Sequence, residues 1–325
     1  MVAVGVGWVT ARVDRCTGPC PPVRLSACPP VIYLPRMLSA SKARLQLLGA
    51  ALLFSTGGAA IKAAAFTGWQ IASFRSGFAA LALVLVVPEA RRGWGWRSVL
   101  VGVAYAGCLT LFVLANRLTT AANTIFLQST APLYVLILAP WLLKESVRRQ
   151  DIGFMLAVGL GLALFFVGVE QPGVTAPDPA RGNLLALISG FFWALTVCGL
   201  RWLTATPGRG SPLAAVTSGN LIAFLVTLPL ALPLGAHSVA EWSVLVYLGV
   251  FQIALAYVLV TRAISHIPAL EASVILLLEP ALNPLWAWLM QGEVPGVWAM
   301  IGGAIILGAT TAKSWAERRV EAPVT

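Results

Sequence analysis

The residues whose types and spacing best suit chemistry form the run Leu278-Glu279-Pro280-Ala281-Leu282-Asn283-Pro284. Glu279 lies near the middle of an apolar stretch. An ionised carboxylate there costs several kcal/mol, about 3 on insertion scales. It must face a cavity, find a partner or hold a proton. Pro280 and Pro284 lack the N–H that would bond the carbonyl four residues back. They free the carbonyls of Leu276 and Pro280 and predict a kink at Glu279. A carboxylate beside freed carbonyls suits an amine or a proton. The alternative is a buried Glu that pins the kink by bonding a neighbouring helix.

Arg75 lies about seven residues into another apolar stretch, too deep to be interfacial by default. A substrate carboxylate or the carbonyls at a helix C-terminus would partner it. Snorkelling towards the membrane surface is the alternative. Pro132 repeats the kink logic by freeing the carbonyl of Gln128. Gln128 thereby becomes the counterpart of the Glu279 region. Asn123, Gln252 and Asn283, with Ser129, Thr130 and Asn220, line a cavity or join helices by hydrogen bonds. Trp193 and Tyr257 read either as cavity aromatics or as packing. Lys62 and Arg201 end corresponding helices, where a cation complements the macrodipole.

The same survey turns up no catalytic or metal constellation. The two histidines, His237 and His266, fall in loops on opposite predicted faces. No HExxH, GxSxG or Walker A pattern is present. Cys16, Cys20 and Cys28 make no complete zinc pattern. No cofactor, no metal and no enzymatic activity are expected.

The elements that must hold these residues follow from composition. The 325 residues are 58% hydrophobic and 10% charged, with mean hydropathy +0.85. Soluble domains carry roughly 25% charged residues. So few charges cannot cover a water-facing surface, and the lipid bilayer resolves the conflict. The net charge of +10 does not indicate nucleic acid, because the basic residues are scattered between apolar runs.

Apolar stretches near the ~20 residues that span hydrocarbon fall at 43–64, 69–88, 98–116, 120–142, 151–169, 182–203, 211–233, 241–263, 268–290 and 296–314. Residues 1–42 read as a Pro-rich disordered tail without signal-peptide order. Met37 is an alternative start. Residues 315–325 form a cytoplasmic tail. With the N-terminus inside, eighteen Lys and Arg lie on the inner side and three, Lys62, Arg117 and Arg181, on the outer. That bias supports an even number of spans with both termini in the cytoplasm.

The stretches repeat. Pro132 and Pro280 are 148 residues apart, and so are Glu145 and Glu293. Phe54 pairs with Trp193, and Lys62 with Arg201, at a shared offset of 139. Five spans per half is an odd number, so the second half inserts upside down. Inverted repeats of this kind characterise secondary transporters. The expected fold is an all-α integral membrane protein, ten transmembrane helices in two inverted five-helix repeats, 43–169 and 182–314. Stripes of small residues, Gly153–Ala157–Gly161 and Ala304–Gly308–Ala312, suit close helix packing within one chain or in a homo-oligomer.

Four features together resemble the EamA-like branch of the drug/metabolite transporter superfamily. They are the stretch Leu278 to Glu293, its counterpart Ala131 to Glu145, the first-span pattern ending in Lys62, and Arg75. The resemblance covers about residues 43–313. Phe54 departs from it, since the family often has Trp there, a residue kept as Trp193 in the second half. The resemblance implies a central cavity and transport of small metabolites, often amino acids, without ATP hydrolysis. A lipid-type carrier of the same fold is the alternative, and a membrane-embedded enzyme a more distant one.

Overall fold

The structure, a computed structural model, describes residues 34–142, 149–167, 171–204, 210–263, 266–267 and 269–321. The proposed tail up to residue 33 and the Glu145 end of the repeat lie outside the described residues.

Apart from a short 3₁₀ turn at Pro88–Arg91 and a π-helical segment at Tyr247–Leu255, the elements are α-helices. In order they are α1 (Leu34–Ser55), α2 (Gly57–Ala63), α3 (Gly68–Val86), α4 (Trp96–Leu118), α5 (Ala121–Gln128), α6 (Ala131–Leu142) and α7 (Arg149–Val167). Then follow α8 (Pro179–Thr204), α9 (Pro212–Ala231), α10 (Val239–Val246), α11 (Ala256–Ala263), α12 (Ala269–Leu276), α13 (Leu278–Gln291) and α14 (Val297–Glu321).

Among the described residues, seven stretches are long and apolar enough to cross a membrane: Ser41–Ala63, Gly68–Val86, Trp96–Leu118, Ala121–Leu138, Pro179–Thr204, Pro212–Ala231 and Val239–Ala263. Asp151–Val167 and Val297–Lys313 are shorter apolar helices. Leu81, Leu85, Leu156, Leu160 and Val226 point outward, as lipid-facing side chains must.

Two boundaries differ from the sequence reading. Residues 34–42, read as tail, already belong to α1. Pro35 is tolerated in a first turn, and the residues after it are adequate helix formers. At the other end α14 runs to Glu321 rather than stopping at 314.

The proline logic places two breaks closely. Pro132 has no N–H to donate to the Gln128 carbonyl, and α5 ends at Gln128. Pro280 likewise has none for the Leu276 carbonyl, and α12 ends at Leu276. The expected kink at Glu279 therefore falls a little earlier, because the proline ring also crowds the carbonyl four residues back. Pro284 leaves α13 continuous. A third break, at Thr56, comes with no proline. There the hydroxyls of Ser55 and Thr56 donate back to the carbonyls of Leu52 (2.7 Å) and Leu53 (2.8 Å). That competes with the helix ladder, and Gly57 and Gly58 follow directly.

Small residues let the helices close on one another. α4 packs against both α8 and α9. At the α4–α9 crossing, a Cβ on Gly219 would fall 2.7 Å from both the carbonyl oxygen of Gly102 and the Tyr105 ring. α7 and α14 meet through Gly161 and Gly302 and through the Lys313–Asp151 ion pair. The stripe expected at Ala304, Gly308 and Ala312 is not the face that α14 turns to α7 within the chain: Ala304, Gly308 and Ala312 are exposed, and a Cβ on Gly308 or Gly153 would meet nothing.

Gly219→Leu should cost about 1–3 kcal/mol through overpacking, read as a lower thermal midpoint in detergent. Gly308→Leu should melt like the parent protein.

Candidate functional site

The break after Leu276 changes what Glu279 is. In a continuous span it would sit mid-helix; here it lies in the first turn of α13. The N–H groups and positive dipole end of α13 face that turn and favour a carboxylate. Glu279 is 1% exposed. Tyr257, on α11, lies within electrostatic range of it. Asn283 follows one turn along α13, on the same face.

The break at Thr56 brings α2 onto this face. A Cβ on Gly58 would fall 2.5 Å from Asn283 Oδ1, and one on Gly57 would fall 2.7 Å from Gln252 Nε2. A side chain at either glycine would push these amide ends aside. Gln252 itself rides on the π-helical segment, whose wider turn no sequence feature announced. Such segments mark functional sites with some frequency.

Arg75 comes from the middle of α3 and does not snorkel; it is 2% exposed. Its guanidinium faces Tyr105, Cys108 and Tyr257. Nη2 donates to the Leu109 carbonyl at 3.4 Å, while Nε and Nη1 have no acceptor among the described residues. The described ion pairs join Arg44 to Glu271, Lys62 to Glu293, Arg181 to Asp178, His237 to Glu241 and Lys313 to Asp151; Arg75 stands in none of them.

An aromatic wall runs past the guanidinium. Tyr257 meets Phe54 edge-on at 5.3 Å and Tyr105 edge-on at 5.5 Å, and Tyr105 lies 6.4 Å from Trp193. Beyond it, Gln128 Nε2 donates to Ser189 Oγ (2.7 Å) and lies 3.2 Å from Cys108 Sγ. Seven of the residues singled out from sequence thus converge: Glu279, Arg75, Gln128, Trp193, Tyr257, Gln252 and Asn283. Sequence reasoning did not single out Tyr105, Cys108 or Ser189, which fall among apolar neighbours without any proline or charge to mark them.

Asn123 goes elsewhere. Its Nδ2 donates to Thr119 Oγ1 and Asn183 Oδ1, both at 3.2 Å. This group belongs to a lock at one end of the bundle. Lys62 Nζ lies 3.0 Å from Glu293 Oε2, with both side chains under 5% exposed. The ammonium also donates to the carbonyls of Thr119 (2.8 Å) and Thr175. Glu293 Oε1 accepts from Ala121 N–H at 2.5 Å, at the start of α5. The pair therefore ties α2, the α4–α5 corner, the 171–178 loop and the end of α13 together. The helix-end reading placed Lys62 at the end of its own helix, α2, and anticipated neither the Thr119 and Thr175 carbonyls nor Glu293. No cluster of three or more metal-ligating side chains occurs among the described residues.

Described elements that are helical throughout, with lipid-suited outer faces and a buried polar interior, define a multi-pass membrane protein. The chain belongs to the EamA-like transporter family, whose model matches it twice, over residues 41–167 and 180–312. Arg75, Tyr105 and Gln128 come from the first match; Trp193, Gln252, Tyr257, Glu279 and Asn283 come from the second. Among curated proteins, the threonine/homoserine exporter RhtA of Escherichia coli (strain K12) is 26% identical over 195 residues, which is 59% of this chain and 62% of RhtA. The matched region thus spans less than two thirds of that relative. The uncharacterized transporter YetK of Bacillus subtilis (strain 168) is 30% identical over 46% of this chain and 47% of its own. An uncharacterized transporter of Archaeoglobus fulgidus is 26% identical over 65% of this chain and 75% of its own. One crystal structure superposes with TM-score 0.56 at 20% identity, covering 87% of this chain and 99% of that one. At that identity the likeness shows the fold alone.

Removing one partner of a buried ion pair strands the other, at a cost of about 3–5 kcal/mol, whereas replacing both by apolar residues is far milder. Lys62→Met and Glu293→Met should each lower the thermal midpoint sharply. The double variant should melt above either single one.

Proposed function

We propose that the protein is a secondary transporter, acting as an exporter. It moves small polar or amphipathic metabolites, amino acids foremost, across the cytoplasmic membrane. The observation that carries the reading is Arg75, a buried guanidinium with two donor nitrogens lacking acceptors among the described residues. A buried charge without its full set of partners is costly, and a substrate carboxylate supplies them. Glu279, from the other matched stretch, offers a carboxylate for a substrate ammonium. Tyr257 lies within electrostatic range of both. A zwitterion suits this arrangement, and the name of RhtA, a threonine/homoserine exporter, points the same way.

In this reading the chain crosses the membrane ten times in two inverted five-helix repeats, with both termini in the cytoplasm. The site lies between the repeats. The Lys62–Glu293 lock closes the outer side, and access alternates as such locks form and release. The polar groups of the site are buried, away from the lipid-facing surface, which favours a polar metabolite over a lipid. Nothing in the reading requires a chemical step.

Proteoliposomes loaded with labelled threonine test it. The parent protein should exchange label with external threonine, and Arg75→Gln should slow that exchange more than tenfold. Unchanged exchange in Arg75→Gln would overturn the assignment of the carboxylate site. Glu279→Gln should respond less than the parent to an imposed pH gradient, if its carboxyl group exchanges a proton during the cycle.

A further inference from the structure

Several polar groups around the Thr56 break are matched. Ser55 Oγ accepts from Trp286 Nε1 at 2.9 Å, and Thr56 Oγ1 lies 2.8 Å from the Tyr247 hydroxyl. Gln291 Nε2 donates to the Ala59 carbonyl at 3.0 Å, while its Oε1 has no partner among the described residues. The two amides resting on Gly57 and Gly58 are left the least complete. Gln252 is 6% exposed and Asn283 1%. Gln252 Oε1, Asn283 Oδ1 and Asn283 Nδ2 have no hydrogen-bond partner among the described residues. Buried amide groups are ordinarily bonded, so three orphan atoms on adjacent glycines call for a ligand.

Their place relative to the charged groups is fixed by helix geometry. Asn283 stands one turn beyond Glu279 on the same face of α13. Gly249, three residues before Gln252, packs onto the backbone of Arg75; a Cβ there would fall 2.5 Å from the Arg75 carbonyl oxygen. The amides therefore adjoin the Arg75–Glu279 region on the side that leads to the Lys62–Glu293 lock.

We infer that Gln252 and Asn283 form a second, hydrogen-bonding subsite that reads the substrate's side chain and selects those carrying a hydroxyl or amide. The inference rests on the zwitterion reading for where the substrate's charged end sits, but the chemistry of the subsite is its own. A hydroxyl donates to an amide oxygen and accepts from Asn283 Nδ2. A methyl group of the same size does neither and leaves the buried amides unpaired. One unpaired buried group costs about tenfold to a hundredfold in affinity. Hydrocarbon side chains of equal volume are discriminated against on this ground rather than by shape.

The test is binding to the purified full chain, measured with isosteric pairs: threonine against valine, and ethanolamine against propylamine. The parent should favour the hydroxyl member about tenfold or more. Asn283→Leu and Gln252→Leu should each shrink that ratio towards one. Because the ratio is taken within one variant, loss of fold abolishes both members and is recognised as such. Gly58→Ala supplies a second route: its Cβ would displace the Asn283 amide and should reduce the ratio while leaving Asn283 in the chain. Equal binding of threonine and valine by the parent overturns the subsite and leaves the zwitterion reading standing. Binding of neither amino acid, with ethanolamine still favoured over propylamine, overturns the zwitterion reading and supports the subsite. A hydroxyl preference that survives Asn283→Leu, Gln252→Leu and Gly58→Ala alike overturns the assignment to these residues.

Discussion

In hydrocarbon a backbone N–H or C=O has no water to turn to, so a helix that crosses it can be interrupted only where the interior takes over the freed groups. This protein interrupts three apolar stretches, after Ser55, after Gln128 and after Leu276. The interruptions are gathered where Arg75, Glu279, Gln128, Gln252 and Asn283 also lie. Each break turns what would be mid-helix positions into helix ends, with the dipoles and unpaired groups that ends bring. The polar interior thus depends on the breaks as much as on the polar side chains.

How much of this could be read beforehand follows the same division. Proline announces its effect in the sequence, because the missing N–H and the crowded carbonyl lie at a fixed distance. Pro132 and Pro280 accordingly place their breaks to within a residue or two. Glu279 and Arg75 are legible because a charge inside an apolar stretch has few explanations. Gly57 and Gly58 are weaker signals in a chain with 30 glycines, and the Thr56 break passed unnoticed. The π-helical segment at Tyr247–Leu255 has no sequence mark, since Gln252 owes its direction to backbone registration alone.

Pairings across the chain were the least accessible. Lys62 and Glu293 were each visible as polar residues at the end of a span, but nothing local joins them. Asn123 resembles a cavity residue for the same reason that Gln128 does, yet it sits five residues before the break and bonds into the lock. The small-residue stripes part ways: Gly161 of the α7 stripe meets α14, while the α14 stripe turns outward. α14 carries glycine or alanine on two faces, and only the tertiary partner decides that Gly302 rather than Gly308 is covered.

The two donor nitrogens of Arg75 that lack acceptors among the described residues have a thermodynamic consequence. They make the ligand-free fold less stable than it would be with the guanidinium fully paired, so occupancy and folding are linked quantities. A ligand that satisfies them at a hundred times its dissociation constant adds about 2.7 kcal/mol to the unfolding free energy. The membrane would then hold the protein in its most durable form when cargo is plentiful and in its most labile form when there is nothing to carry.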